Sequence, residues 1–216
     1  MVVAIDGPAG VGKSSIAKML AERSGFSYLN SGSFYRAYTW LHLDRGGDPS
    51  DLEGLLERAK TTTVDIREGR FHLDGKDIEE LLHTAQVDRH VAAISAYVPL
   101  RTYVNEQLVR IAEHVDVIVE GRDITTVVFP DAELKCYFDA KPEIRAERRF
   151  KQHPDQAPYE EVLAQIIARD EIDRSKPVGA LKVADGALYI DTSYLTMEQV
   201  CEKVLSAIFA HKSESK

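Results

Sequence analysis

Cysteine is scarce. The 216-residue chain holds two, Cys136 and Cys201, which supply neither metal-ligand spacing nor a disulfide-rich pattern. Both read as core thiols, and a reducing cytoplasm is the expected compartment. Long apolar runs are missing as well: none approaches the roughly 18 residues of a membrane span, so no membrane partner is expected. Only the apolar stretch Val2 to Ile5 and Asp6 separate Met1 from Gly7, and no signal peptide is expected there. The seven histidines form no metal-like cluster and are expected at the surface. Internal repeats, low-complexity segments and long linkers are absent. Positive charge is in deficit: a formal net charge of −8 would repel a polyanion, no basic stretch argues otherwise, and nucleic acid is not an expected partner. A small anionic ligand remains compatible, provided cations gather at one site against the bulk sign. What the chain does have is 44% apolar composition, over a length that supports one domain, or one domain with small lobes, around a full core.

Apolar runs with strand character alternate with helical periodicity, the pattern of a parallel α/β sheet. Val2 to Ile5 predicts the first strand, and Ile16, Met19, Leu20 and Arg23 mark a helix that Gly25 can end. Phe26 to Leu29 predicts a second strand and Ser33 to Arg45 a second helix. A helix from about Pro99 to His114, with proline in its first turn and Val104, Leu108 and Ile111 on one face, leads into a third strand at Val115 to Glu120. Leu134 to Phe138 and Ala187 to Asp191 predict the fourth and fifth strands, and Met197 to Ala210 a closing amphipathic helix. Two stretches break the alternation. Between Thr61 and Ile78, alternating Val64, Ile66, Phe71 and Leu73, interrupted by Glu68-Gly69 and Asp74-Gly75, predict a small inserted antiparallel unit. Residues 141–158 carry Arg145, Arg148 and Arg149 on a short helix, end in a polar segment with two prolines, and predict a helical lid.

The first strand-to-helix turn reads Gly7-Pro8-Ala9-Gly10-Val11-Gly12-Lys13-Ser14, a complete G-x-x-x-x-G-K-[ST] phosphate loop, continued by Ser15. Glycines there let successive backbone N–H groups turn inward around phosphate oxygens, at a helix N-terminus whose partial positive charge favours anions. Residues 7 through 15 are expected to hold ATP, with Lys13 reaching the β- and γ-phosphates and the Ser14 hydroxyl ligating Mg²⁺. A phosphate loop does not by itself choose among kinases, GTPases and transport or motor ATPases. The chain has neither an Asn-Lys-x-Asp segment for reading guanine nor the Leu-Ser-Gly-Gly signature of transporter ATPases. Arginine instead recurs at what read as loop and strand-end positions: Arg36, Arg101, Arg122, Arg145, Arg148, Arg149 and Arg169. Transfer between two phosphates crowds negative oxygens together, and its loose transition state leaves the protein mainly to align and neutralise them. Clustered arginines suit that task, although any one of them alone fits a solvated surface better.

The order of three motifs resembles bacterial cytidylate kinase: Gly7 to Ser14, then Leu29-Asn30-Ser31-Gly32-Ser33-Phe34-Tyr35-Arg36, then Glu120-Gly121-Arg122-Asp123 running through Ile124-Thr125-Thr126 into Val127-Val128-Phe129-Pro130. The resemblance extends through nearly the whole chain, to Asp191-Thr192 at the end of the last strand. It implies a single 1–216 kinase domain of the three-layer phosphate-loop class, with a five-stranded parallel core, a CMP-binding lobe at 31–114 that includes the inserted strands near 61–78, and the lid at 141–158. It also implies transfer of the ATP γ-phosphoryl group to CMP or dCMP with Mg²⁺, by a monomer. Carried over by residue, Ser31 and Tyr35 would lie along the acceptor nucleotide, with Arg36 and Arg122 on its phosphate. Arg101 and Asp123 would read cytosine, whose N3 and O2 accept and whose amino group donates. Arg169 and Asp173 would hold the sugar. Lys13, Arg122, Arg145 and Arg149 would carry the catalytic charge, the lid arginines closing over the phosphates.

Three positions depart from the family pattern. Ala92 stands where a serine is common, with Ser95 one helical turn away. After Arg169-Asp170 the chain reads Glu171-Ile172-Asp173-Arg174-Ser175-Lys176, placing Ile172 and Lys176 where the family has arginines. Lys176 is therefore expected either on the acceptor phosphate or on the solvated end of its helix. UMP, AMP, a non-nucleotide alcohol, or an ATP-driven regulatory switch are the alternatives that the motifs alone leave open.

Overall fold

Val2–Asp6 (β1) is apolar on both faces and almost wholly buried, which suits it to the middle of a sheet covered on both sides. The computed structural model describes residues 1–67, 69–152 and 157–214. In chain order the elements are β1, α1 (Lys13–Ser24), β2 (Ser27–Asn30), α2 (Ser31–Asp44), α3 (Leu52–Lys60), β3 (Val64–Arg67), β4 (Arg70–Leu73), β5 (Lys76–Asp77), α4 (Ala85–Ile94), α5 (Val98–Ala112), β6 (Val117–Gly121), a π-helical turn (Ile124–Val128), β7 (Leu134–Asp139), α6 (Pro142–Gln152), α7 (Tyr159–Ser175), β8 (Leu188–Asp191) and α8 (Met197–Glu214). They fall into two compact units, Met1–Leu29 with Ile111–Lys216, and Asn30–Arg110.

In the first unit a five-stranded parallel sheet runs β2-β6-β1-β7-β8. β1 pairs with β6 (Val3 opposite Ile118) and with β7 (Ile5 opposite Cys136), and β7 pairs with β8 (Phe138 opposite Ile190). Packed against it are Ile16, Ala17 and Leu20 of α1 and Val200, Val204 and Ile208 of α8, spaced three and four apart so that each helix turns one stripe to the sheet. Cys136 and Cys201 lie in this core, fully buried, and burial pushes the Cys136 thiol up to about 12. α6 and α7 join through Ala146, Val162 and Ile166, with Phe150 edge-on to Tyr159. These two helices flank the end of the expected lid, of which residues 153–156 lie outside the described residues.

The second unit contains the three-stranded antiparallel sheet β3-β4-β5, the inserted unit expected between Thr61 and Ile78. Glu68, expected in its first turn, lies outside the described residues. Two helices here carry no sequence expectation. α3 buries Leu55 and Ala59, four apart, after Asp51 caps it by accepting from Gly54 N at 2.9 Å. α4 buries Val87 and Ile94. α2 begins at Ser31 instead of Ser33 because Asn30 Oδ1 accepts from Gly32 N at 2.8 Å and so starts the helix.

Two expectations are corrected. His42 is not at the surface: it is fully buried, its Nε2 2.8 Å from the Asp48 carbonyl and its Nδ1 3.3 Å from Arg58 Nη1, so both ring nitrogens find partners. The arginines are not mainly at loop and strand-end positions either. Arg122 follows β6 directly, whereas Arg36 lies on α2, Arg101 on α5, Arg145, Arg148 and Arg149 on α6, and Arg169 on α7. A helical position lets a long side chain be clamped by its neighbours, as several of these are.

Candidate active site

β1 ends at Asp6, and the chain turns through the phosphate loop into α1. Gly7 is required sterically, since a Cβ there would come within 2.2 Å of the Phe138 carbonyl oxygen. Gly12, at the N-cap of α1, has φ of 92°, a left-handed conformation that side chains disfavour. The first turn of α1 holds no acidic residue and its N-cap makes no side-chain hydrogen bond, so no negative side chain offsets the partial positive charge of the helix start. Lys13 arches back over the loop, its Nζ donating to the Gly7 and Pro8 carbonyls at 2.8 and 2.9 Å. Burial, reinforced by the positive charge of Arg122, lowers its ammonium to about 7 against the pull of Glu120, Asp6 and Asp173. Ser14 and Ser15 are exposed on the opening turn, and among the described residues the Ser14 hydroxyl has no partner.

Asp6 is the anchor of the next segment. Its carboxylate accepts from Ile124 N at 2.9 Å and from Thr125 N and Oγ1 at 2.7 and 2.6 Å, which fixes the turn that follows Asp123. Burial raises its affinity for a proton, while those donors work the other way. Asp123 itself is buried, and so is Glu120, which accepts from the Tyr28 hydroxyl at 2.6 Å.

A second cluster centres on Asp173, which is fully buried on α7 and surrounded by cations. Arg122 Nε stands 2.8 Å from Oδ2, Arg169 Nε 3.4 Å from the same oxygen, and Lys176 Nζ 2.9 Å from Oδ1. Burial alone would raise this carboxyl, yet the charges of Arg122, Arg169 and Lys176 prevail and hold it far below the usual carboxylate range. The sequence-expected residues Arg122, Arg169, Asp173 and Lys176 thus come together. Ile172 points elsewhere and is 54% exposed.

Arg145 is buried to 1% exposure. Its guanidinium meets Asp170 with Nη1 and Nη2 at 3.0 and 2.5 Å, the Ala140 carbonyl with Nε at 2.9 Å, and the phosphate-loop carbonyl of Ala9 with Nη1 at 3.0 Å. Of the five N–H groups a guanidinium carries, four are engaged by protein. Arg149, one turn on, is exposed and has no ion pair among the described residues. Asp170 received no role from the sequence, although it sits in the quoted Arg169-Asp170 pair; its burial beside an arginine 25 positions away is what marks it.

In the unit Asn30–Arg110, Arg101 is buried on α5, donating from Nη1 to the Ser95 carbonyl at 3.0 Å, with its guanidinium 5.7 Å from the Tyr35 ring centroid. Arg36 donates from Nη1 to Asp88 Oδ1 at 2.5 Å and to the Leu82 carbonyl at 3.0 Å. Ser31 and Tyr35 are buried on the first turns of α2. Ser95 Oγ donates to the Ala92 carbonyl at 3.0 Å.

A parallel sheet whose first strand delivers a phosphate loop, with a buried lysine over that loop, defines a phosphate-loop nucleotide-binding protein. The family model for cytidylate kinase matches residues 3–210, and the chain belongs to that family. It is 39% identical over 211 residues to the cytidylate kinase of Rhodopirellula baltica, a match covering 96% of this chain and 92% of that one. Its identity to the cytidylate kinase of Borrelia duttonii is 38%, covering 95% and 96%. The same holds at 38% for that of Carboxydothermus hydrogenoformans, covering 96% and 97%. Among solved structures, an uncharacterized protein from Eubacterium ventriosum superposes with a TM-score of 0.51 at 12% identity, covering 97% of this chain and 98% of that one, a likeness of fold alone.

Proposed function

We propose that this chain transfers the γ-phosphoryl group of ATP to CMP or dCMP, giving ADP and CDP or dCDP. Lys13 carries the proposal: a lysine buried over a complete phosphate loop, at the open N-terminus of α1, in a member of the cytidylate kinase family. A non-bridging oxygen of the CMP phosphate attacks the γ-phosphorus in line. The bond from that phosphorus to the β,γ-bridging oxygen breaks, and its electron pair leaves on ADP. The attacking oxygen is already anionic near neutral pH, so no general base is demanded and the protein's work is electrostatic. Lys13, protonated once phosphate lies against it, follows the charge that moves from the γ- to the β-phosphate. Arg36 and Arg122 are proposed for the acceptor phosphate, Arg101 and Asp123 for the cytosine edge, Arg169 and Asp173 for the sugar, and Ser31 and Tyr35 along the nucleotide. Arg149 is proposed to meet the phosphates when the lid closes, and closure would exclude water that could otherwise take the phosphoryl group.

Mg²⁺ is proposed as the accompanying ion, shielding the triphosphate oxygens when bound. The donor set fits it, because an unpartnered Ser14 hydroxyl beside phosphate oxygens is hard-oxygen chemistry, and no cluster of three acidic, histidine or cysteine side chains among the described residues offers a competing cage. No helix is long and apolar enough to cross a membrane among the described residues. A cytoplasmic monomer acting on free nucleotides is the corresponding proposal. UMP, AMP and alcohol acceptors, and a switch without transfer, are not favoured by the family to which the chain belongs. A coupled ADP-release assay with ATP and a panel of CMP, dCMP, UMP, AMP and shikimate tests this reading: turnover must be highest with the cytidine nucleotides, and ATP turnover indifferent to acceptor would overturn it.

A further inference from the structure

The phosphate loop is held from its outer side at two carbonyls. Arg145 Nη1 donates to that of Ala9 at 3.0 Å, and Thr192 Oγ1, just beyond β8, donates to that of Val11 at 3.2 Å. No peptide bond among the described residues is cis, and a trans peptide carries its C=O and N–H on opposite edges of one plane. Fixing the Ala9 carbonyl outward therefore turns the Gly10 N–H inward, and fixing that of Val11 turns the Gly12 N–H inward. Both peptides precede glycines with φ of 80° and 92°, where rotation is least hindered by a side chain, so the loop's own residues do little to hold these orientations.

Each outer donor is itself constrained. Asp170, buried on α7, grips both terminal nitrogens of Arg145. Arg148 donates Nη1 to Thr192 Oγ1 at 3.3 Å and Nη2 to the Thr192 carbonyl at 2.5 Å. A hydroxyl that accepts from a guanidinium has its own hydrogen left for one acceptor, here the Val11 carbonyl.

We propose that Asp170 and Thr192 are positioning residues for ATP: through Arg145 and directly, they set the Ala9–Gly10 and Val11–Gly12 peptides with their N–H groups toward the phosphates. They govern affinity for the donor triphosphate and not for the acceptor. This rests on the phosphoryl-transfer reading above.

The test is calorimetric titration with a non-hydrolysable ATP analogue, joined to steady-state kinetics with ATP and CMP varied separately and to thermal melts. Asp170→Asn and Thr192→Val should each raise the analogue Kd and the ATP KM about tenfold, the scale of one misdirected hydrogen bond, and leave the CMP KM within about twofold. Thr192→Ser, which keeps the hydroxyl, should restore ATP affinity. Thr192→Val is nearly isosteric and serves if Asp170→Asn does not fold. Analogue affinity equal to wild type in Thr192→Val overturns the proposal. Equal rises in both KM values together with a lowered Tm also overturn it, since that is a purely structural role. A wild type that does not bind the analogue brings down the phosphotransferase reading itself.

Discussion

Lys176 Nζ donates to Asp173 Oδ1 at 2.9 Å, and the lysine is only 12% exposed. That contact removes Lys176 from the solvated helix end and makes it one of the cations balancing a buried carboxylate. Its indirect effect falls on Arg122, which shares that carboxylate and is proposed for the acceptor phosphate.

Lys176→Ala should therefore lower kcat/KM for CMP by about tenfold while sparing the ATP KM, because Arg122 is drawn more fully onto Asp173. Removing one of several partners of a buried carboxylate should also cost about 1–2 kcal/mol in urea unfolding. Lys176→Arg keeps the charge but brings a planar fork, and should lower the CMP KM or raise kcat. Equal kinetics in all three proteins would limit Lys176 to a structural role.

Lys13→Ala should abolish transfer, by at least about a thousandfold, with unchanged circular dichroism, since the ammonium bonds only the Gly7 and Pro8 carbonyls of the loop and is proposed to meet the charge that develops during transfer. Turnover near wild type in a folded variant would remove the phosphate-loop mechanism.

The depressed ammonium of Lys13 has a pH signature. Above pH 7 the ligand-free lysine is increasingly neutral, and the triphosphate charge should restore its proton, so ATP binding at pH 8 should take up close to one proton, read from calorimetry in buffers of different ionisation enthalpy. The sign for stability follows from the same shift. The unfolded chain holds this proton up to about 10.5 and the folded one only to about 7, so the burial cost is fully present below pH 7 and is relieved as pH rises toward 10.5. Lys13→Met should accordingly stabilise the ligand-free protein most at pH 6–7 and least near pH 10. No proton uptake with ATP would refute the lowered value.

Wild type should prefer CMP over UMP, and Asp123→Ala should narrow that preference mainly by harming CMP, by roughly 1–3 kcal/mol in the ratio of kcat/KM values. Uracil presents an oxygen where cytosine presents an amino donor, so a carboxylate at that edge, as proposed for Asp123, would discriminate by repulsion as well as attraction. Equal use of the two by wild type would end the base-reading assignment.

Much of this architecture is written locally. The strands around Ile5, Val119 and Phe138 are short runs of apolar residues between turn signals, and the phosphate loop is legible from its own glycines, Lys13 and the strand before it, although two of its carbonyls are held from 136 and 181 positions away. The same is true of the Asp74-Gly75 turn, where Asp74 adopts a φ of 49°. What stayed hidden depends on distant partners. Asp6 finds Thr125 across 119 positions, and Arg145 finds Asp170 across 25. His42 looks like any polar residue until Arg58 and the Asp48 carbonyl are folded against it. α3 and α4 are not of this hidden kind: Leu52, Leu55, Leu56 and Ala59 in one, and Val87, Val91 and Ile94 in the other, recur at helical spacing and are legible in the sequence. In the grouping on Asp173 only Arg122 is distant, 51 positions away, while Arg169 and Lys176 stand four and three positions from it along the chain.

The two sheet-core thiols give the molecule a built-in clock. Cys136 is sealed within β7 with its ionisation suppressed, and Cys201 is sealed within α8 with its own thiol raised by burial. A thiol reagent needs the thiolate and a path to it, so alkylation of either should proceed only through opening of the sheet and α8. Labelling rates at the two positions, read separately by peptide mass, should coincide if this core opens as one cooperative piece, and should fall together when ATP is present.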